Sequence, residues 1–443
     1  MKSVTIRTVQ KPLSGELSFP GDKSLSHRAV IFGSLAEGVS HFTNVLPGED
    51  CVCTRKAFEA MGVRFEVVKG GTELTVHGVG LNGLKAPKSD LYCGNSGTSM
   101  RLLMGLLAGQ PFKSVLTGDP SLSSRPMRRV ADPLRQMGAK IDGKDNGNFA
   151  PITITGSPLQ GFDHKLVVAS AQVKSALLFA GLYAQGVTRV TEPVISRDHT
   201  ENFLRYFGTI LEKGGNTVSL KSGQKMTGRE FPIAGDVSSA AFFMAMGLLI
   251  PNSTLHFKAI LDNPTRTGVL EVIKRMISSQ SLPSYQPHQA GSMAGPEPVT
   301  DFSLKGQSLT AFQIKKEELP SLIDEIPILC VLATQAKGKS VIHEADELRV
   351  KETDRIHSMV SQLSKMGAKI KADGNSIVIE GSTPLTGAVV DSFKDHRTAM
   401  SLIVAGMVAK GETTVQDIEC INTSFPSFFE LLKKIDVDII IRH

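Results

Sequence analysis

GNSGTSMRLLMGLLAGQ, residues 94–110, decides how this chain folds, because its pattern occurs six times. A short polar, glycine-containing opening gives way to a run of Leu, Met and Ala that stops at Gly109. The run is apolar on all its helical faces, so it reads as a helix buried all round and not as one lying on a surface. The same pattern opens at Gly21 (GDKSLSHRAVIFGSLAEG), Ser170 (SAQVKSALLFAGLYAQG), Gly235 (GDVSSAAFFMAMGLL), Asp324 (DEIPILCVLATQAKG) and Asp395 (DHRTAMSLIVAGMVAKG).

The anchors Asp22, Asn95, Ser170, Asp236, Asp324 and Asp395 are 73, 75, 66, 88 and 71 residues apart. A second marker follows them at lags of 39, 42, 37, 40, 42 and 40 residues: Met61-Gly62, Met137-Gly138, Phe207-Gly208, Met276, Met366-Gly367 and Ile435. Two markers in step through six units indicate a repeat architecture. Within a unit the order reads helix, strand, helix, strand, strand, with VRFEV, KIDGK and KIKAD alternating as strands do. The expected class is therefore α/β, with three repeats in each of two domains. The first half is placed at 21–234 and the second at 1–20 with 235–443. Whether the strand Val4–Ile6 pairs with the second half is left open by the sequence. The fourth unit is the longest, and its Ser, Pro and Gly-rich stretch from Ser278 to Val299 reads as an inserted surface loop.

A length of 443 residues exceeds what one hydrophobic core usually serves, which agrees with two domains. The net charge of +6, from 49 Lys and Arg against 43 Asp and Glu, is mild and evenly spread. With no interleaved aromatic and basic ladder, it speaks against nucleic-acid binding and for a cleft that takes small anions. The five cysteines are odd in number and form no CxxC, which suits reduced thiols in a cytoplasm. MKSVTIRTVQ has no signal-peptide core, and the apolar run Ala240–Ile250 is too short to span a bilayer. The expectation is a cytoplasmic chain without membrane partners, and a monomer. No HExxH, phosphate loop, paired-Gly dinucleotide fingerprint or GxSxG elbow occurs, so no metal and no cofactor are expected.

The polar openings of the six helices carry the chemistry. A helix N-terminus presents unpaired N–H groups and a positive dipole end, which favour anions. Asp22, Asn95, Ser170, Asp236 and Asp395 are also ordinary capping residues, and capping alone explains them taken singly. It does not explain the cations beside them: Lys23 and Arg28, Arg101, Arg125 and Arg128, Lys174, Arg197, Lys351 and Arg355, and Arg397. Cations on buried helices need anionic partners. KETDR, residues 351–355, reads alternatively as a salt-bridged solvated face. Asp324, Glu352 and a histidine among the cations are candidates for proton transfer.

GDKSLSHR, GNSGTSMRL, SSRPM, SAQVKSA, SRDHTE, LRVKETDR and DHRTAMS occur in one order along the chain. This order resembles the EPSP synthase family. The resemblance implies a two-domain inside-out α/β barrel built from six repeats, with the active site between the halves. It implies shikimate-3-phosphate and phosphoenolpyruvate as substrates, and enolpyruvyl transfer with release of phosphate. By resemblance, Lys23 contacts both substrates and takes part in catalysis. Ser24, Arg28, Ser170, Gln172 and Lys351 are ligands of shikimate-3-phosphate, and Ser196 and Arg197 line the same pocket. Gly97, Arg125, Gln172, Arg355 and Arg397 contact phosphoenolpyruvate. Asp324 also touches the acceptor and takes its proton, while Glu352 is a further proton-transfer residue.

Ala171, Leu102 and the lysine-free INTSFP depart from better-known bacterial members. They are similar to a second branch, often tolerant of glyphosate, which in this family competes with phosphoenolpyruvate. Two rivals remain: the sister enzyme that acts on UDP-N-acetylglucosamine through a loop cysteine, and an anion-binding module without activity. The stretch Ser121–Met127 contains no Cys.

Overall fold

The computed structural model describes residues 2–279, 282–288 and 295–442. It divides into two compact units. The first unit is Gly21–Ile233 with Ala290–Glu297; the second is Met1–Pro20 with Ala234–Gln289 and Pro298–His443.

Six helices form where the repeats place them: α1 (Lys23–Leu35), α2 (Gly97–Ala108), α3 (Ala171–Gly181), α4 (Val237–Leu249), α5 (Ile326–Gln335) and α6 (His396–Val408). In α4 all residues from Val237 to Leu248 are buried, as a sequence of Ala, Phe, Met and Leu without a polar stripe requires. Each unit packs three such helices inside three four-stranded sheets. Phenylalanines fill the space between them: Phe32 of α1 meets Phe179, Phe203 and Phe207, and Phe243 of α4 meets Phe19, Phe425 and Phe428.

The second repeat shows the sheet logic. Phe149–Thr155 pairs antiparallel with both Lys113–Thr117 and Lys140–Gly143, and the short strand Leu91–Tyr92 adds to Lys113–Thr117 in parallel. That edge strand precedes the buried helix and is absent from the sequence reading, because two residues are too few to show a period of alternation. In the first repeat the edge strand is Glu230–Pro232, from the far end of the same unit, so the first unit closes on itself.

The second unit is completed from the N-terminus. Strand β1 (Ser3–Arg7) lies between Glu412–Gln416 and Ile439–Arg442, with Val4 opposite both Val415 and Ile441. Strand β2 (Ser14–Ser18) is the parallel edge of Thr254–Leu261. The open question of where Val4–Ile6 pairs is thereby settled.

The second marker has a physical cause. Gly62, Gly138, Gly208 and Gly367 have φ of +91°, +100°, +105° and +88°, one residue past the C-cap of the outer helix. Left-handed backbone there closes the helix, and glycine adopts it without a Cβ penalty. In the fourth and sixth repeats Ser278 (φ +54°) and Asp436 (φ +57°) hold that place. The fourth marker is therefore Ile277-Ser278, one residue beyond Met276.

The stretch Ser278–Val299 is not simply a surface loop. Gln286–His288 pairs with the strand Val299–Lys305, and Glu297 is fully buried in the first unit. Residues 280, 281 and 289–294 of this stretch lie outside the described residues.

Candidate active site

Four of the five expected caps are made: Asp22, Ser170, Asp236 and Asp395 each accept from a backbone N–H of the helix they open. Asn95 does not cap. Ser96 accepts from the Ser99 N–H at 3.0 Å instead, which leaves the Asn95 side chain to donate to Asp119 (2.7 Å) and accept from Arg125.

In the first unit Arg28 and Arg101 hydrogen-bond to neutral groups. Arg28 is buried on α1, and its guanidinium donates to Thr200 Oγ1 (2.8 Å), Ser175 Oγ (3.1 Å) and the Ser24 carbonyl (3.0 Å). Burial is the larger influence and lowers its pKa to about 10, although Glu201 and Asp22 act the other way. Arg101 donates to Gln172 Oε1 and to the Pro126 carbonyl, and Gln172 donates on to Thr98 Oγ1 at 3.1 Å. Gly97 opens α2 directly beneath these groups: a Cβ there would lie 3.0 Å from Arg101 Nη1 and 3.4 Å from Arg125 Nη1. Half-buried Lys23 pairs with buried Asp50, a partner the sequence did not suggest.

Lys174 is a different kind of cation. It is buried between Glu192 and Glu201, at 2.7 Å from each. Burial opposes its charge, yet Glu201 and Glu192 outweigh it and its pKa is raised. Its charge is thus already balanced within the unit. Ser196, also buried, donates its hydroxyl and its N–H to Glu192. Half-buried Arg197 follows, and His199 is fixed by Glu297 at 2.8 Å.

In the second unit the arginines meet carboxylates. Arg355 is 1% exposed, so the arginine of KETDR does not lie on a solvated face, although the four residues before it are half-buried. Its Nε lies 2.9 Å from Asp395, Nη2 2.7 Å from Glu352 and Nη1 3.4 Å from Asp324. Burial acts against the guanidinium charge, but the three carboxylates prevail and raise its pKa. Arg397 donates to the Asp324 carbonyl (3.2 Å), with Asp324 Oδ1 at 3.9 Å and Glu325 at 3.7 Å. Half-buried Lys351 precedes Glu352 directly.

Arg266 extends the set, 3.0 Å from buried Glu325 and 3.5 Å from Asp236. Sequence reasoning missed it, although the repeat pointed there. Arg266 follows Asp236 by the same 30 residues that separate Arg125 from Asn95. Opposite charges therefore alternate from Asp236 through Arg266, Glu325, Arg397 and Asp324 to Arg355. The carboxylates of Asp324 and Glu352 reach solvent at 18% and 25% exposure, whereas the Arg355 that holds them does not. Such a pair can give and take protons while keeping its geometry.

Among the described residues no group of His, Cys, Asp and Glu could hold a metal ion, and no helix is long and apolar enough to cross a membrane.

The profile of the family described as EPSP synthase (3-phosphoshikimate 1-carboxyvinyltransferase) matches residues 7–432. A 3-phosphoshikimate 1-carboxyvinyltransferase of Bacillus cereus is 48% identical over 435 residues, covering 98% of this chain and all of the relative. One from Brevibacillus brevis is also 48% identical, over 96% of this chain and 98% of its own. The solved structure of an EPSP synthase from Acinetobacter baumannii superposes with a TM-score of 0.87 at 43% identity, with both chains fully covered.

Proposed function

The chain belongs to the EPSP synthase family, and from that premise we infer that it transfers the enolpyruvyl group of phosphoenolpyruvate to the 5-hydroxyl of shikimate-3-phosphate. Phosphate is released, and the product feeds aromatic amino-acid biosynthesis. The observation that carries the assignment of roles is the single buried guanidinium of Arg355 joined to both Asp324 and Glu352. The acceptor hydroxyl must lose a proton and the enolpyruvyl methylene must gain one, and this pair supplies a group for each. Asp324 takes the hydroxyl proton and Glu352 serves the methylene. A tetrahedral intermediate forms and then expels phosphate.

Anion binding falls to the helix openings. Arg28, Ser24, Ser170, Gln172, Ser196, Arg197 and Lys351 receive shikimate-3-phosphate. Gly97, Arg125, Gln172, Arg355 and Arg397 receive phosphoenolpyruvate, and Lys23 touches both. Arg28 supports this division most directly, because a buried cation hydrogen-bonded to neutral groups is suited to an anion that arrives with the ligand. We place the enzyme in the cytoplasm as a monomer, which its five free cysteines suit.

The thiols also argue against the sister reaction. Burial raises the pKa of Cys53, Cys93 and Cys330, and Cys420 is pushed up to about 12, so none of these four is an activated thiol. A coupled phosphate-release assay with each acceptor tests the reading. Turnover is expected with shikimate-3-phosphate and none with UDP-N-acetylglucosamine. The opposite preference, or no turnover with either, would refute it.

A further inference from the structure

The ion cluster of Lys174, Glu192 and Glu201 is buried within the first unit, and the reaction as described makes no use of it. Burying a cation with two carboxyl groups is costly, burial raising the Glu201 pKa even beside Lys174, and well-packed apolar side chains often do as well for stability. What the cluster touches explains its place. All three polar groups of Ser196 are held by it: the hydroxyl and the N–H donate to the two oxygens of Glu192, and the carbonyl accepts from Lys174 Nζ at 3.4 Å.

The cluster's neighbours in the chain hold a second ligand. Ser175 follows Lys174 and Thr200 precedes Glu201. Their hydroxyls lie 2.7 Å apart, and each accepts from the Arg28 guanidinium. Lys174 itself sits on α3, four residues after Ser170 and two after Gln172. One ammonium group thus ties the helix opening, the Ser196 loop and, through Ser175 and Thr200, the Arg28 guanidinium into a single arrangement.

We propose that Lys174, with Glu192 and Glu201, is a positioning residue for shikimate-3-phosphate, fixing Ser196 and Arg28 in the register that receives the phosphate. This rests on the functional reading above. Lys174 touches no substrate; it acts through Glu192 on Ser196 and through its helix on Arg28.

The test compares Lys174→Met with the double variant Lys174→Met/Glu192→Gln, measuring steady-state constants and the thermal midpoint of each. Lys174→Met should raise the KM for shikimate-3-phosphate about tenfold to a hundredfold, as displacement of a binding group does. Its kcat and its KM for phosphoenolpyruvate should stay within about threefold of wild type. It should also melt earlier, because two buried carboxylates lose their cation. Adding Glu192→Gln removes one of those charges and should recover much of the melting temperature. The acceptor KM should stay high, since the clamp on the Ser196 carbonyl is still missing.

Should Lys174→Met fail to fold, the double variant alone decides, by whether its acceptor KM is raised. A KM within about twofold of wild type in the variants that fold would overturn the proposal. So would a double variant in which KM and melting temperature recover together, since that shows a purely structural cluster. Wild-type protein that fails to turn over shikimate-3-phosphate at all would instead refute the functional reading itself.

Discussion

Arg28 in one unit and Arg355 in the other are buried arginines held in opposite ways. In the first, Arg28, Arg101 and Arg125 are hydrogen-bonded to hydroxyls, amide oxygens and backbone carbonyls. In the second, Arg355, Arg266 and Arg397 are set among Asp395, Glu352, Asp324, Glu325 and Asp236. Arg28, bonded to neutral groups and only partly offset by the more distant Glu201 and Asp22, keeps much of its desolvation cost until a ligand brings the opposite charge. A cation set among carboxylates is already balanced, and its effect is to hold those carboxylates in place. The difference suggests a division of labour between Arg28, which is suited to an anion that arrives with the ligand, and Arg355, which holds the two carboxylates proposed for proton transfer.

The largest expected effect concerns the second unit. If Asp324 takes the hydroxyl proton, Asp324→Asn should lower kcat by about 10²–10⁴-fold, measured by phosphate release at saturating substrates. A kcat within about twofold of wild type would end the assignment.

Stability should separate the units next. Arg355→Met removes the cation shared by three carboxylates and should cost about 3–5 kcal/mol in urea unfolding. Arg28→Met removes a charge that burial already disfavours, and Ser175 and Thr200 can still bond to each other. Its loss should be no more than about 1–2 kcal/mol. Equal losses would erase the contrast between the two kinds of site.

A comparably small effect is expected at Gly97. Its added methyl in Gly97→Ala would press on Arg101 Nη1, which must yield by a few tenths of an ångström. Overpacking of this kind costs about 1–3 kcal/mol, and the longer inhibitor glyphosate should lose more affinity than phosphoenolpyruvate gains in KM. Equal loss for both ligands would mean that the methyl acts through the arginines alone.

Much of this was legible in the sequence. Six apolar helices announced themselves because each is buried all round, and the Met-Gly marker worked because left-handed backbone at a helix end favours glycine. The misses share a physical reason. The edge strand Leu91–Tyr92 is too short to carry a period. Ser96 and Asn95 are both good caps, so composition could not choose between them. Asp50, Glu192 and Glu297 become partners of Lys23, Lys174 and His199 only through tertiary contact, across 27, 18 and 98 residues of chain. Arg266 was readable from the repeat arithmetic, once the position of Arg125 in its own repeat is given weight.

The division of labour is tested most directly by titrating shikimate-3-phosphate calorimetrically into Arg28→Met and Asp324→Asn. Arg28→Met should bind about tenfold to a hundredfold more weakly than wild type, the worth of a lost charged hydrogen-bonding group. Asp324→Asn, though nearly inactive, should bind within about threefold of wild type. Binding lost in Asp324→Asn and kept in Arg28→Met would contradict the account.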